Sequence, residues 1–214
     1  MKYRLAIFDL DGTLLDTLQD LANSLNYALK NAGFPQRSID EVRRFVGNGI
    51  RKLIERGVPA GTSEEETERV LADFMEHYKA HCSDSTRPYD GIDELLDALK
   101  EGEYLTAVVS NKADSAVKIL CEKYFSGKFD AVVGERQGVR KKPAPDTVNS
   151  VLAQLGIDRE DAVYIGDSEV DVETARNAGM DCISVEWGFR SRAELVRAGA
   201  AKIISRPSEI LGEV

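Results

Sequence analysis

The chain has 214 residues, 43% of them hydrophobic and 30% charged, with a formal net charge of -9. That balance fits a soluble globular protein with room for one substantial domain, or for a core carrying a smaller insert. The acidic surplus argues against a nucleic-acid backbone or an anionic membrane as partner, and it demands a local cation wherever a small anion binds. Met1-Lys2-Tyr3-Arg4 opens directly into Leu5-Ala6-Ile7-Phe8, too short a run for a secretory or membrane segment. Cys82, Cys121 and Cys182 show no paired spacing. A cytoplasmic protein with reduced thiols is therefore expected.

Leu5-Ala6-Ile7-Phe8 reads as a strand, ended by Asp9 and the following Asp11-Gly12 break. Similar apolar runs recur at 105–109, 131–133, 162–165 and 182–185, with a weaker one at 202–204. Helical patterns separate them, over 92–99, 115–124, 147–155 and 172–178. Near-continuous Val/Ile strands alternating with helices predict a doubly wound α/β domain on a parallel sheet.

One stretch breaks the alternation. From about Leu18 to Ala80 the pattern is helical throughout: Leu18, Leu21, Ala22, Leu25, Ala28 and Leu29 recur at helical spacing, and Gly33 supplies a stop. Ser38 with Glu41, and Ser63 with Glu66, read as capping boxes. Residues 16–84 are expected to be an all-helical insert placed after the first strand, with 1–15 and 85–214 forming the α/β core.

Ligands of open α/β sheets bind beyond the carboxyl ends of the strands, so the residues following each strand matter. After the first come Asp9-Leu10-Asp11-Gly12-Thr13, after the second Ser110-Asn111-Lys112, and after a later one Gly166-Asp167-Ser168-Glu169-Val170-Asp171. Singly, each has a bland reading: an Asp at a strand end forms turns, Ser110 caps a helix, and Lys142 is a solvated loop lysine. Together they bring carboxylates, a hydroxyl and a lysine to one sheet edge. Asp9 and Asp11 repel unless a cation or proton relieves them, and Asp167 adds a third carboxylate. Magnesium suits such a set together with phosphate oxygens. Asp9 would attack phosphorus to form an aspartyl-phosphate, while Asp11 would protonate the leaving oxygen and later deprotonate water.

Asp9-Leu10-Asp11-Gly12-Thr13-Leu14-Leu15-Asp16-Thr17 resembles the first motif of the haloacid dehalogenase superfamily. Ser110-Asn111-Lys112, Lys142-Pro143-Ala144-Pro145-Asp146 and Gly166–Asp171 are similar to its second, third and fourth motifs. The resemblance implies that Asp9 is nucleophile and metal ligand, and that Asp11 is acid and base with its carbonyl also on magnesium. It implies that Ser110 binds the phosphoryl group, that Lys142 neutralises Asp9 and phosphate, and that Asp167 completes the metal site while Asp171 orients it. Asn111, Gly12 and Thr13 are expected at the phosphate, and Ser168 either supports the metal site or caps a helix. The insert resembles the family's small cap. True dehalogenases lack the second aspartate, so Asp11 points to phosphoryl chemistry.

For the substrate, Gly47-Asn48-Gly49 is the cap's candidate loop, although a helix–helix turn reads at least as well. Arg51 is a candidate carboxylate partner, with a solvated helix arginine as its default reading. Val46–Gly49 and Trp187-Gly188-Phe189-Arg190 resemble the phosphoglycolate phosphatase branch, which makes a small acidic phosphate ester the leading expectation. A pyrophosphatase, a 5'-nucleotidase or a β-phosphoglucomutase-like mutase would share the core residues. A receiver-like phosphoacceptor module would share the chemistry, but its acceptor Asp sits on a middle strand. The sequence assigns no role to Lys141, Trp187 or Arg190.

Overall fold

The computed structural model describes residues 2–214, which divide into two compact units. One comprises the chain up to Leu15 together with Pro88–Val214; the other is Asp16–Arg87.

The first unit is built on β1 (Leu5–Phe8), which the chain leaves through β2 (Leu15–Asp16) and re-enters through β3 (Arg87–Pro88), a short paired ribbon. There follow α5 (Ile92–Glu101), β4 (Leu105–Ala113), α6 (Asp114–Phe125), β5 (Ala131–Glu135), α7 (Asp146–Leu155), β6 (Ala162–Gly166), α8 (Glu169–Ala178), β7 (Asp181–Val185), α9 (Arg192–Arg197) and β8 (Lys202–Ile204). The intervening α1–α4 belong to the other unit. The six-stranded sheet has the order β5-β4-β1-β6-β7-β8, and every pairing is parallel.

The strands are apolar on both sides because both sheet faces are covered. Leu5 and Ile7 pack with Val148 and Val151 of α7 and Ala175 and Ala178 of α8. Ala6 and Phe8, pointing the other way, pack with Leu95 and Leu99 of α5 and Val117 and Leu120 of α6. From β1 the chain winds outward through β4 and β5, then returns to β6 on the other side of β1 and continues to β8. The ends of β1, β4 and β6 therefore flank the reversal point where such sheets bind ligands.

Two local features differ from the sequence reading. The second strand was expected to stop at Val109, whereas β4 continues to Ala113 with a register shift between those residues. Ser110-Asn111-Lys112 thus lies in an irregular strand end, and α6 is capped by Ala113 instead of Ser110. The β2–β3 ribbon and α9 carry too few residues for a periodic signal.

The second unit contains α1 (Leu18–Asn31), α2 (Ile39–Phe45), α3 (Ile50–Gly57) and α4 (Glu64–His81). Both capping boxes form, at Ser38/Glu41 and Ser63/Glu66. Gly33 follows α1 with φ +72°, and the Phe34 amide closes back on the Leu29 carbonyl at 2.8 Å. Buried Asp20 accepts from the Ser85 amide at 2.9 Å, the Thr86 amide at 2.9 Å and Thr86 Oγ1 at 2.8 Å. Those bonds tie the returning chain into this unit. No helix among the described residues is long and apolar enough to cross a membrane, and all three cysteines are free.

Candidate active site

Asp9 follows β1, and its amide extends the ladder by donating to the Ile165 carbonyl at 2.9 Å. Its Oδ1 accepts from the Leu10 amide at 2.7 Å and lies 2.9 Å from Lys142 Nζ. Burial pushes the Asp9 carboxyl up to about 7; the Lys142 ammonium opposes that shift, and the Asp171 and Asp11 carboxylates reinforce it.

Lys142 is the hub of the site. Its Nζ also donates to Asp171 Oδ1 at 2.8 Å and to Tyr164 Oη at 2.9 Å. Burial alone would lower its pKa, but Asp171 and then Asp9 outweigh that and hold it well above the ordinary lysine value. Asn111 grips the lysine's backbone from both sides, with Oδ1 accepting from the Lys142 amide at 2.8 Å and Nδ2 donating to its carbonyl at 3.0 Å. The side chain of Asn111 is thus committed to Lys142. Neighbouring Lys141 instead makes a long, half-exposed pair with Glu135 at 3.8 Å.

Asp167 and Asp171 both follow β6 and are both buried. Asp171 is the N3 residue of a capping box: its Oδ2 accepts from the Ser168 amide at 3.0 Å and from Ser168 Oγ at 2.6 Å. Ser168 therefore caps α8 and, through the same bonds, orients Asp171. The close approach needs Gly166, where an added Cβ would lie 2.3–2.6 Å from the Asp171 side chain. Asp167 accepts from Thr13 Oγ1 at 3.2 Å and from the Phe189 amide at 2.7 Å. Burial first, then Asp171 and Asp9, raise its pKa well above the ordinary carboxylate range. Gly12, with φ +91°, brings the first loop against Asp167, and a Cβ there would meet the carboxylate at 2.5–2.7 Å.

Asp9, Asp167 and Asp171 offer carboxylate oxygens within 4.8 Å of one another, all buried. A cluster of buried hard oxygen donors, in which Asp9 and Asp167 have raised pKa values and one ammonium supplies balancing charge, fits a divalent cation in chemistry and charge. The Asp11 carboxylate points elsewhere, to Lys112 Nζ, at 2.9 Å from each oxygen. Ser110 is buried, and its Oγ accepts from the Lys112 amide at 3.3 Å.

The structure thus gathers Asp9, Asp11, Gly12, Thr13, Ser110, Asn111, Lys142, Asp167, Ser168 and Asp171 at one sheet edge. Gly47-Asn48-Gly49 lies in the other unit, where it links α2 to α3 with positive φ at both glycines. Arg51 pairs there with Glu64 at 3.2 Å and with Glu68.

Several contributors were missed by the sequence reading. Tyr164 sits within an apolar strand, yet its hydroxyl donates to the Val109 carbonyl at 3.1 Å while receiving Lys142. Trp187 Nε1 donates to the Thr13 carbonyl at 3.0 Å, and buried Arg190 pairs with Glu169 at 2.8 Å. The aromatic–glycine run after β7 was the available signal for Trp187 and Arg190, whereas nothing in the apolar β6 run marked Tyr164.

The family model for haloacid dehalogenase-like hydrolases matches residues 6–185. A phosphoglycolate phosphatase from Aquifex aeolicus is 35% identical over 209 residues, covering 97% of this chain and 95% of its own. An N-acetylmuramic acid 6-phosphate phosphatase from Pseudomonas aeruginosa is 30% identical over 214 residues, covering 99% and 94%. A crystal structure from Lactobacillus delbrueckii subsp. bulgaricus, whose own assignment as a phosphoglycolate phosphatase is provisional, superposes with a TM-score of 0.94 at 38% identity, covering 98% of this chain and 97% of that one. The chain therefore belongs to the haloacid dehalogenase-like hydrolases, and within that family it is a phosphatase of the phosphoglycolate phosphatase-like kind.

Proposed function

We propose that the protein hydrolyses a small phosphate monoester, phosphoglycolate or a close relative, with magnesium and through a phosphorylated Asp9. The observation that carries this reading is the buried Asp9 carboxylate, 2.9 Å from Lys142 and beside Asp167, with a second aspartate two residues on.

Asp9 Oδ attacks phosphorus, and the bond to the ester oxygen breaks as Asp11 passes its proton to that oxygen. Water then attacks the phosphorus of the aspartyl-phosphate. Asp11 takes the water's proton, and the bond from phosphorus to Asp9 breaks to give inorganic phosphate. Asp9, Asp167 and the backbone carbonyl of Asp11 would hold magnesium, which neutralises phosphoryl charge when bound. Lys142 supplies fixed positive charge to the same oxygens, Ser110 offers them a hydroxyl, and the amides and hydroxyl of the Gly12-Thr13 loop border the site. Asp171 holds Lys142 in place.

Asp16–Arg87 is read as a helical cap, with Gly47-Asn48-Gly49 and Arg51 as its substrate-facing residues. The substrate class rests on the relatives' activities and on the Trp187–Arg190 run. The free cysteines support a cytoplasmic setting.

The test is phosphate release from phosphoglycolate, sugar phosphates including N-acetylmuramic acid 6-phosphate, nucleotides and pyrophosphate, with and without magnesium. Phosphoglycolate is expected to lead, with activity lost in Asp9→Asn and in chelator. Preference for a sugar phosphate would keep the mechanism and replace the substrate; no release from any ester would overturn both.

A further inference from the structure

We infer that Lys112 is the positioning residue for Asp11, fixing that carboxylate where the leaving oxygen of a phosphate ester receives its proton; the inference rests on the phosphatase reading above. Lys112 Nζ lies 2.9 Å from both Asp11 oxygens. The lysine side chain is only 3% exposed, and that of Asp11 is 21% exposed. A solvated pair of this kind would contribute little, but an ammonium withdrawn from water is costly unless its partner is held in good geometry. Contact with both oxygens sets the rotation of the carboxylate as well as its place.

The backbone carrying Lys112 is itself fixed. It lies in the irregular end of β4, between Val109 and Ala113, where the pairing with β5 shifts register. The Lys112 carbonyl is pressed against Gly134 of β5, where an added Cβ would lie 2.6 Å from that carbonyl and 2.6–2.7 Å from the Asp114 backbone. The Gly134 amide in turn donates to Asp114 Oδ1 at 2.9 Å. The bulge thus turns the lysine across the carboxyl end of the sheet toward β1.

Asp11 must give a proton to the ester oxygen and later accept one from water. One of its oxygens can keep the bond to Lys112 while the other carries the proton, so the lysine orients the transfer and takes no part in it. Removing Lys112 should hurt esters in proportion to how much their leaving group needs that proton.

The experiment is steady-state kinetics on a series of aryl phosphates of similar shape, from p-nitrophenyl to p-methylphenyl phosphate. Lys112→Met is expected to lose at least about tenfold more kcat on the p-methylphenyl than on the p-nitrophenyl ester, and to add no such difference in an Asp11→Asn background. Equal losses along the series, or a loss confined to KM, would overturn the inference. Lys112→Gln is read in the same way should the Met variant not fold. If the unaltered protein cleaves none of these esters, the phosphatase reading fails. The crystal structure of the variant then decides this one: a displaced Asp11 carboxylate upholds it, and an unmoved one sinks it.

Discussion

Lys142 Nζ stands almost equidistant from Asp9 and Asp171, at 2.9 and 2.8 Å, and all three groups are withdrawn from water. One ammonium therefore holds both the proposed nucleophile and the carboxylate that caps α8. Removing it leaves two buried carboxylates facing each other. Lys142→Met is expected to lower kcat about a hundredfold to thousandfold. It should also destabilise the fold by about 3 kcal/mol or more at neutral pH, with part of the loss recovered in acid. Urea melts at pH 5 and pH 7.5 measure both effects, and equal stability to the parent at both would refute the pairing argument.

The Asp9 carboxyl, pushed up to about 7 from an ordinary 3.8, gives metal-free protein a definite pH response. Between those values folded Asp9 retains a proton that the unfolded chain has released. This group's contribution to stability thus falls as pH rises through the window. A cation at Asp9 must displace the proton, so magnesium should bind more tightly as pH rises. The magnesium-induced rise in Tm should be small at pH 5 and larger at pH 8. A rise independent of pH would separate Asp9 from the metal.

Gly188 is the tightest point of the loop after β7. A Cβ there would come 2.2 Å from the Gly12 carbonyl and 2.4–2.6 Å from the Asp167 side chain. Gly188→Ala is therefore expected to push Asp167 off its bond to the Phe189 amide. Calorimetric titration with magnesium should show affinity reduced by about tenfold or more, the scale of losing a group that orients a metal ligand. Unchanged affinity would mean that the loop yields and Asp167 does not depend on it.

Asp20 tests the other unit by itself. Its buried carboxylate is bonded to the Ser85 and Thr86 amides and to Thr86 Oγ1. Asp20→Ala leaves those donors without their charged acceptor and should cost about 3 kcal/mol. Hydrogen exchange is expected to speed up at Ser85 and Thr86 first. Unaltered protection at both amides would count against the tie.

Much of this was written locally. The β1 and β6 runs are apolar without alternation because both sheet faces are buried, and each is followed by the Asp or Gly that ends it. The same logic placed Asp9 and Asp167 at strand ends, and the Ser/Glu spacing gave the caps of α2 and α4. A short apolar run does not say where its strand stops, so the continuation of β4 through Lys112 was hidden.

The sequence by itself determined the alternation of strands and helices, the helical insert and the carboxylates at the sheet edge. Each of these is a matter of period, breaker or nearest-neighbour chemistry. Only the tertiary structure decided that Lys112 meets Asp11, 101 residues away, and that Trp187 bonds the Thr13 carbonyl 174 residues away. It likewise turned Tyr164, an unremarked residue of an apolar strand, toward Lys142. Such partners are chosen by strand order and close backbone approach, and neither leaves a periodic trace along the chain.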